Sequence, residues 1–199
     1  LLSVSLLSCA RPPELADVRE EFGYLIEASE EINNLLWGEG LPYYDIDSDF
    51  AKESGIYGEH PETLGNYRYV TTEAHQKYPS ADDIRTAAEK VYSNAFLSGV
   101  ATSLFEGNVI SNGEVSVVSR ARYAELNQSL CILVGWNSGF TYSPRTFDLS
   151  TMQIVKKLSN TDIVTVTVDS TRKDGSDPRT LTLRFVREEN GWRLDSPTY

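Results

Sequence analysis

The chain has 199 residues, 40% of them hydrophobic and 24% charged, a balance that argues against disorder or collagen-like repeats and fits a single domain. A chain of this length buries about 70% of its unfolded surface, so it can hold a core without disulfides or metals. The formal net charge is −11, from 18 Lys+Arg against 29 Asp+Glu, which argues against nucleic acid as a partner because a phosphate backbone needs a basic face. That charge is unevenly placed. Residues 14 to 62 carry 14 Asp+Glu against two basic residues, Arg19 and Lys52, whereas 63 to 199 carry 15 of each sign.

The sequence opens LLSVSLLSCA with no initiator Met, its only Met being Met152, so it is expected to begin partway through a longer precursor or a gene fragment. Its first eight residues are all Leu, Val or Ser, far short of the roughly 20 that cross a bilayer, and they suit the end of a signal-peptide h-region. Leu6-Leu7-Ser8-Cys9 resembles the bacterial lipobox, with Leu7 departing from the Ala, Ser, Thr or Val usual at its place. The resemblance implies a thioether on Cys9 carrying two acyl chains, each buried CH₂ adding about 0.8 kcal/mol, and Cys9 as the first mature residue on the outer face of a cell membrane. A non-lipid signal peptide, or a buried strand that contains Cys, is the plainer alternative. Cys131, in the apolar run Leu130 to Val134, reads as a core thiol, and with Cys9 acylated no internal disulfide forms.

After the tether Arg11-Pro12-Pro13, apolar residues from Leu15 to Leu36 recur at three- and four-residue steps with glutamates between them, an amphipathic helix from about 14 to 37 stopped by Gly38. Gly38 to Asn66 has no period and reads as a long irregular acidic loop, followed by a short strand at Tyr67–Val70. Ser80 with Asp83 forms a capping-box pair for a second helix through Ile84, Ala87, Ala88, Val91 and Tyr92, broken or bent at Asn94–Gly99 and continuing a turn or two at Val100–Phe105. From Gly113 the period becomes two, giving strands at 115–117, 122–126, 130–136, 151–157, 163–168, 180–186 and 192–194. Lys173-Asp174-Gly175 and Asn190-Gly191 are hairpin signals, so the last three strands form a meander in which 163–168 pairs with 181–186.

Helices first and antiparallel strands after predict an α+β fold, with the N-terminal helices packed on a curved antiparallel sheet as one domain over 14–199. The stretch Thr180 to Asp195, TLTLRFVREENGWRLD, resembles the last hairpin of NTF2-like and cystatin-like domains, in which a strand, a charged turn with Gly and Trp-Arg-Leu close the sheet. The resemblance covers about a tenth of the chain and implies a cone-shaped sheet, a module that many bacterial lipoproteins carry behind their lipobox. The acidic loop departs from a minimal domain of that family.

Asp45, Asp47 and Asp49 have the spacing of the first calcium-loop ligands, but Phe50 stands where the turn needs Gly and Ile56 where it needs a bidentate Glu, so a solvated acidic loop with no resident metal or cofactor is expected, the alternative being a weak site completed by Glu53 or backbone carbonyls. The two histidines, His60 and His75, fall in polar stretches and support no triad. Gly135-Trp136-Asn137-Ser138-Gly139 is no nucleophile elbow, since its Ser comes one place too late. Some NTF2-like enzymes use a carboxylate and a Tyr inside the cone, for which Tyr123, Glu125, Tyr142 and Asp148 are the candidates here.

Aromatic residues among acids suit a contact surface: Trp37, Tyr43, Tyr44, Phe50 and Tyr57 around the acidic loop, and Trp136, Phe140, Tyr142 and Phe147 around a Gly- and Ser-rich connection. The alternative is that each covers the mouth of the sheet. The candidate binding residues are therefore Tyr43, Tyr44, Asp45, Asp47, Asp49, Trp136 and Tyr142. The expected function is non-catalytic binding of a protein, a cell-wall polymer or a small ligand. Its sharpest form resembles the secreted bacterial inhibitors of cell-wall endopeptidases, with residues 39 to 62 as the blocking element; a small-molecule enzyme or carrier using the cone is the alternative.

Overall fold

The computed structural model describes residues 13–58, 65–111, 116–136, 139, 141–157 and 162–199; Cys9, His60 and Phe140 lie outside them. The fold is α+β. Helix α1 (Leu15–Trp37) presents Val18, Phe22, Leu25, Ile26, Ile32 and Leu36 to the core, the three- and four-residue spacing that its sequence predicts. Its first turn is closed by the Glu14 amide donating to Asp17 Oδ2 at 2.9 Å, and its end by the Gly38 amide donating to the Asn33 and Asn34 carbonyls.

The acidic segment is ordered where no period was expected. It holds a short helix, α2 (Asp49–Ser54), capped by Ser48 Oγ accepting from the Ala51 amide at 3.2 Å. Strand β1 (Tyr67–Tyr69) leads to α3 (Thr72–Lys77), which the sequence reading missed, and then to α4 (Ala81–Glu89), whose Ser80/Asp83 capping box forms as expected. The second helix does break, but earlier than expected: α4 ends at Glu89, leaving Val91 and Tyr92 outside it, 94–98 forms a separate helix, α5 (Asn94–Ser98), capped by Ser93, and a single π-helical turn (Thr102–Glu106) follows.

The nine described strands fall into three antiparallel sheets rather than one. Strands β2 (Asn108–Ser111) and β3 (Ser116–Ser119) form a hairpin, and β4 (Tyr123–Leu126) pairs with β5 (Ser129–Leu133), which also pairs with β1. The third sheet is the C-terminal meander of β6 (Arg145–Lys157), β7 (Ile163–Arg172), β8 (Arg179–Glu188) and β9 (Gly191–Leu194). Its β7–β8 register, Ile163 opposite Val186 through Val168 opposite Leu181, matches the predicted pairing. The free side of β9 is covered by the segment after α4, where the Leu194 amide donates to Val91 O and the Ser93 amide to Leu194 O, both at 2.8 Å.

Strand β6 is bulged twice. Asp148 faces Asp169 and Gln153 faces Thr167, so residues 149–152 stand opposite Val168 alone; a second shift leaves Val155 unpaired and 54% exposed. Asp148 Oδ1 accepts from the Ser150 amide and hydroxyl, and Arg19 of α1 donates to the Leu149 carbonyl at 3.0 Å and the Met152 carbonyl at 3.3 Å, so side chains satisfy the interrupted ladder. Helix α1 packs across β6 and β9, and the core closes where Phe22 stacks on Phe185 with centroids 3.8 Å apart and meets the edge of Trp192 at 5.3 Å.

Candidate functional site

The acidic segment is built outward from β1. Tyr43 bridges Val70, the Tyr44 amide donates to Tyr69 O at 3.0 Å, and the Thr71 amide donates to Pro42 O at 2.9 Å, so 42–44 lies along the strand like a short fourth partner. Asp45 then turns the chain, its Oδ1 accepting from the Asp47 amide at 3.1 Å and its carbonyl from the Ser48 hydroxyl at 2.7 Å. Asp49 follows in the first turn of α2, where the helix dipole favours a carboxylate. Beneath this turn Tyr57 stacks on Tyr69 and donates its hydroxyl to Tyr44 O, while Tyr44 stacks on Phe50 with centroids 4.5 Å apart.

The outcome is a folded face with Asp45, Asp47 and Asp49 exposed and with Tyr43 40%, Phe50 51% and Ile56 36% exposed beside them. Tyr43, Tyr44 and the three aspartates thus share one structural unit, to which Phe50 and Ile56 add apolar surface. Among the described residues no group of three or more His, Cys, Asp and Glu converges to hold a metal.

Trp136 and Tyr142 belong to a second group, around the C-terminal end of α1. The Arg122 guanidinium stacks 4.8 Å from the Trp136 ring and donates to the carbonyls of Leu36 at 3.2 Å and Gly38 at 2.6 Å, capping the negative end of the helix dipole. Burial lowers its pKa, against the opposing pull of Tyr123. Tyr142 meets Tyr199 edge-on at 5.9 Å, and burial, followed by the nearby Glu30 carboxylate, pushes its hydroxyl up to about 12. Trp37, expected on the contact surface, is instead 8% exposed and part of the core.

The four candidates for catalysis are scattered. Tyr123 is fully buried and donates to Leu35 O at 2.8 Å, whereas Glu125 is exposed and accepts from the Ala81 amide at the start of α4. Asp148 is exposed on β6, and with Asp169 and Thr180 it lines an open groove of about 720 Å³ at the outer end of β6–β8. The buried polar side chains among the described residues are Ser29, Asn33, Ser93, Arg122, Arg145, Ser170 and Thr198; none is a carboxylate. His75 lies exposed on α3. Cys131 is fully buried and its thiol is pushed up to about 11 by that burial, which makes it an inert core group.

Sequence reasoning missed an interior polar cluster. Ser29 and Asn33 sit on the apolar face of α1, and Tyr92 and Thr198 complete the group: Tyr92 donates to Asn33 Oδ1 and Asn33 Nδ2 to Thr198 Oγ1, each at 2.7 Å. The Thr198 and Ser29 hydroxyls lie 2.7 Å apart, and Ser29 donates to Ile26 O at 2.6 Å. The signal was present: two polar residues four apart interrupt the apolar stripe between Phe22 and Leu36. No protein-family model matches this sequence, and no curated protein matches it. Among the described residues no helix is long and apolar enough to cross a membrane.

Proposed function

We propose that this chain is a non-catalytic binding domain, held at the outer face of a cell membrane by a lipid on Cys9, that engages a basic envelope protein or a cell-wall polymer through its acidic face from Glu39 to Gly58. The observation that carries the reading is Phe50, an aromatic ring half exposed and fixed by stacking on Tyr44, in a run with Asp45, Asp47 and Asp49. Aromatic anchors rimmed by charge are how interfaces combine affinity with orientation, and the local excess of carboxylates steers a basic partner inward while repelling anionic polymers. In its sharpest form the partner is a cell-wall endopeptidase whose cleft this segment blocks.

Two further observations support the reading. The interior between α1 and the meander is filled by Phe22, Phe185, Trp192 and Leu183, and the carboxylates considered for catalysis are exposed and apart. We read the same arrangement, a long helix laid on a bulged meander that ends in the β8–β9 hairpin, as the NTF2-like or cystatin-like cone.

The test is inhibition of a basic cell-wall endopeptidase, together with binding to purified cell-wall sacculi, by the wild type and by the triple variant Asp45→Asn, Asp47→Asn, Asp49→Asn. The variant is expected to bind at least about tenfold more weakly and to lose most of its salt dependence between about 0.15 M and 0.5 M. Unchanged binding and inhibition by the variant sinks the acidic-face reading. Metabolic labelling of the precursor with an acyl-chain probe tests the anchor, since Cys9→Ala is expected to lose the label.

A further inference from the structure

A second site lies where α1, β6 and the segment after β9 meet. There a cavity of about 150 Å³ has Ser29, Asn33 and Thr198 on its lining, each no more than 2% exposed, with Tyr142 and Phe147 as aromatic neighbours. We propose that this cavity binds one small neutral polyhydroxylated molecule, a polyol or a single monosaccharide unit.

The unused hydrogen-bonding groups on the lining select the ligand class. Asn33 has two amide protons and only one acceptor among the described residues, Thr198 Oγ1. Arg145, also on the lining, donates through Nε to Ser170 Oγ, through Nη2 to the Ser170 and Asp177 carbonyls, and through Nη1 to Asp177 Oδ2, leaving one of its five N–H groups over. The Tyr142 hydroxyl has no hydrogen-bond partner among the described residues, and because burial keeps it protonated well past neutral pH it is a third donor.

Three unused donors would suit an anion, but the rim opposes one. Glu27 and Glu30 both line the cavity from α1; Glu30 is paired with Lys173, and Glu27 has no partner among the described residues. Nor is a cation well placed, since Arg145 forms part of the wall. An alcohol group fits both demands, accepting from Asn33, Arg145 or Tyr142 and donating to Glu27. The interior already holds such a group: the Thr198 side chain is itself a secondary alcohol, hydrogen-bonded to Asn33 and Ser29 at 2.7 Å. The aromatic rings suit the C–H faces of a sugar or polyol. The volume falls below the roughly 300–1,000 Å³ of drug-sized sites, which limits the occupant to one small unit. This site is separate from the acidic face and stands or falls independently of it.

The test is an NMR titration of the full chain with D-glucose, and separately with inositol, following the Asn33 side-chain amide and the Tyr142 ring. A saturable shift of both is expected. Tyr142→Phe keeps the ring and removes one donor, and Glu27→Ala removes the acceptor at an exposed residue; each is expected to weaken binding about 3- to 10-fold, the loss of one hydrogen bond. A linear response that never saturates and is equal in wild type and variants is the general exclusion effect of polyols, and it overturns the proposal. Saturable binding of cadaverine or acetate, with none of the sugars, overturns it as well by assigning the cavity to a cation at Glu27 and Glu30 or to an anion at Arg145.

Discussion

Thr198 shows how far one hydroxyl can organise a core. Ser29 gives its proton to Ile26 O, so Thr198 donates to Ser29 and accepts from Asn33, and the proton of Tyr92 goes to Asn33 Oδ1. The chain of donors runs one way, and burial raises the Tyr92 pKa, which keeps the first donor in place. Thr198→Val keeps the shape but strands the Asn33 amide, so we expect a loss of about 1–3 kcal/mol in urea unfolding, with Thr198→Ser close to wild type. Gly40 is a second such point: its φ is +82°, and a Cβ there would lie 2.5 Å from Ile132 Cδ1 and 2.6 Å from Arg122 Nη2. Gly40→Ala is expected to cost about 1–3 kcal/mol and to loosen the Arg122 cap on α1. Ser29 and Asn33 were visible in the sequence as breaks in a stripe. Their partner was not, because Thr198 is 165 positions from Asn33 and no local pattern encodes that distance.

Helices long enough to show a period were legible, and the shortest ones were not. Helix α1 spans 23 residues and more than six turns, so its apolar stripe identifies it, and the hairpin glycines with alternating Val, Thr and Leu set β7 to β9. Helices α2, α3 and α5 run six, six and five residues, too few to repeat a face. What starts them is a hydroxyl cap at Ser48, Thr71 and Ser93, each accepting from the amide three residues on. Strand β2 was missed for want of alternation over its four residues. The acidic face proposed for binding is therefore only half readable: its residues stand out in the sequence, but Tyr44, Phe50, Tyr57 and Tyr69 come together only through the folded turn and α2. Ser80 is the clearest test at this scale. Ser80→Ala removes a cap that accepts from the Asp83 amide at 3.2 Å, and it is expected to lower stability by about 1 kcal/mol, read from the urea midpoint at unchanged slope.

At the scale of the whole molecule the negative charge is concentrated in the first third, and Arg145, Arg172 and Arg179 gather on Asp177 at the end of the meander next to Glu27 and Glu30 of α1. Arg179 first and Arg145 second hold the Asp177 carboxyl down from 3.8 to about 2. Because folding favours its ionised form, that contribution is full above about pH 4 and is lost as pH falls through about 2. Asp177→Asn, which leaves Arg145 buried without a counter-charge, is expected to be less stable than wild type at neutral pH, with the gap closing between about pH 4 and 2 in urea unfolding series. The bulges of β6 carry a consequence of another kind. A long outer strand with its amides and carbonyls in register is a template on which a second chain can zip, and side-by-side copies then grow into fibres. Here the template is interrupted by four residues facing one, two of its carbonyls are held by Arg19, and the opposite edge is closed by 91–93. Copies meeting side by side along the meander therefore find no long uninterrupted ladder at either of its edges among the described residues.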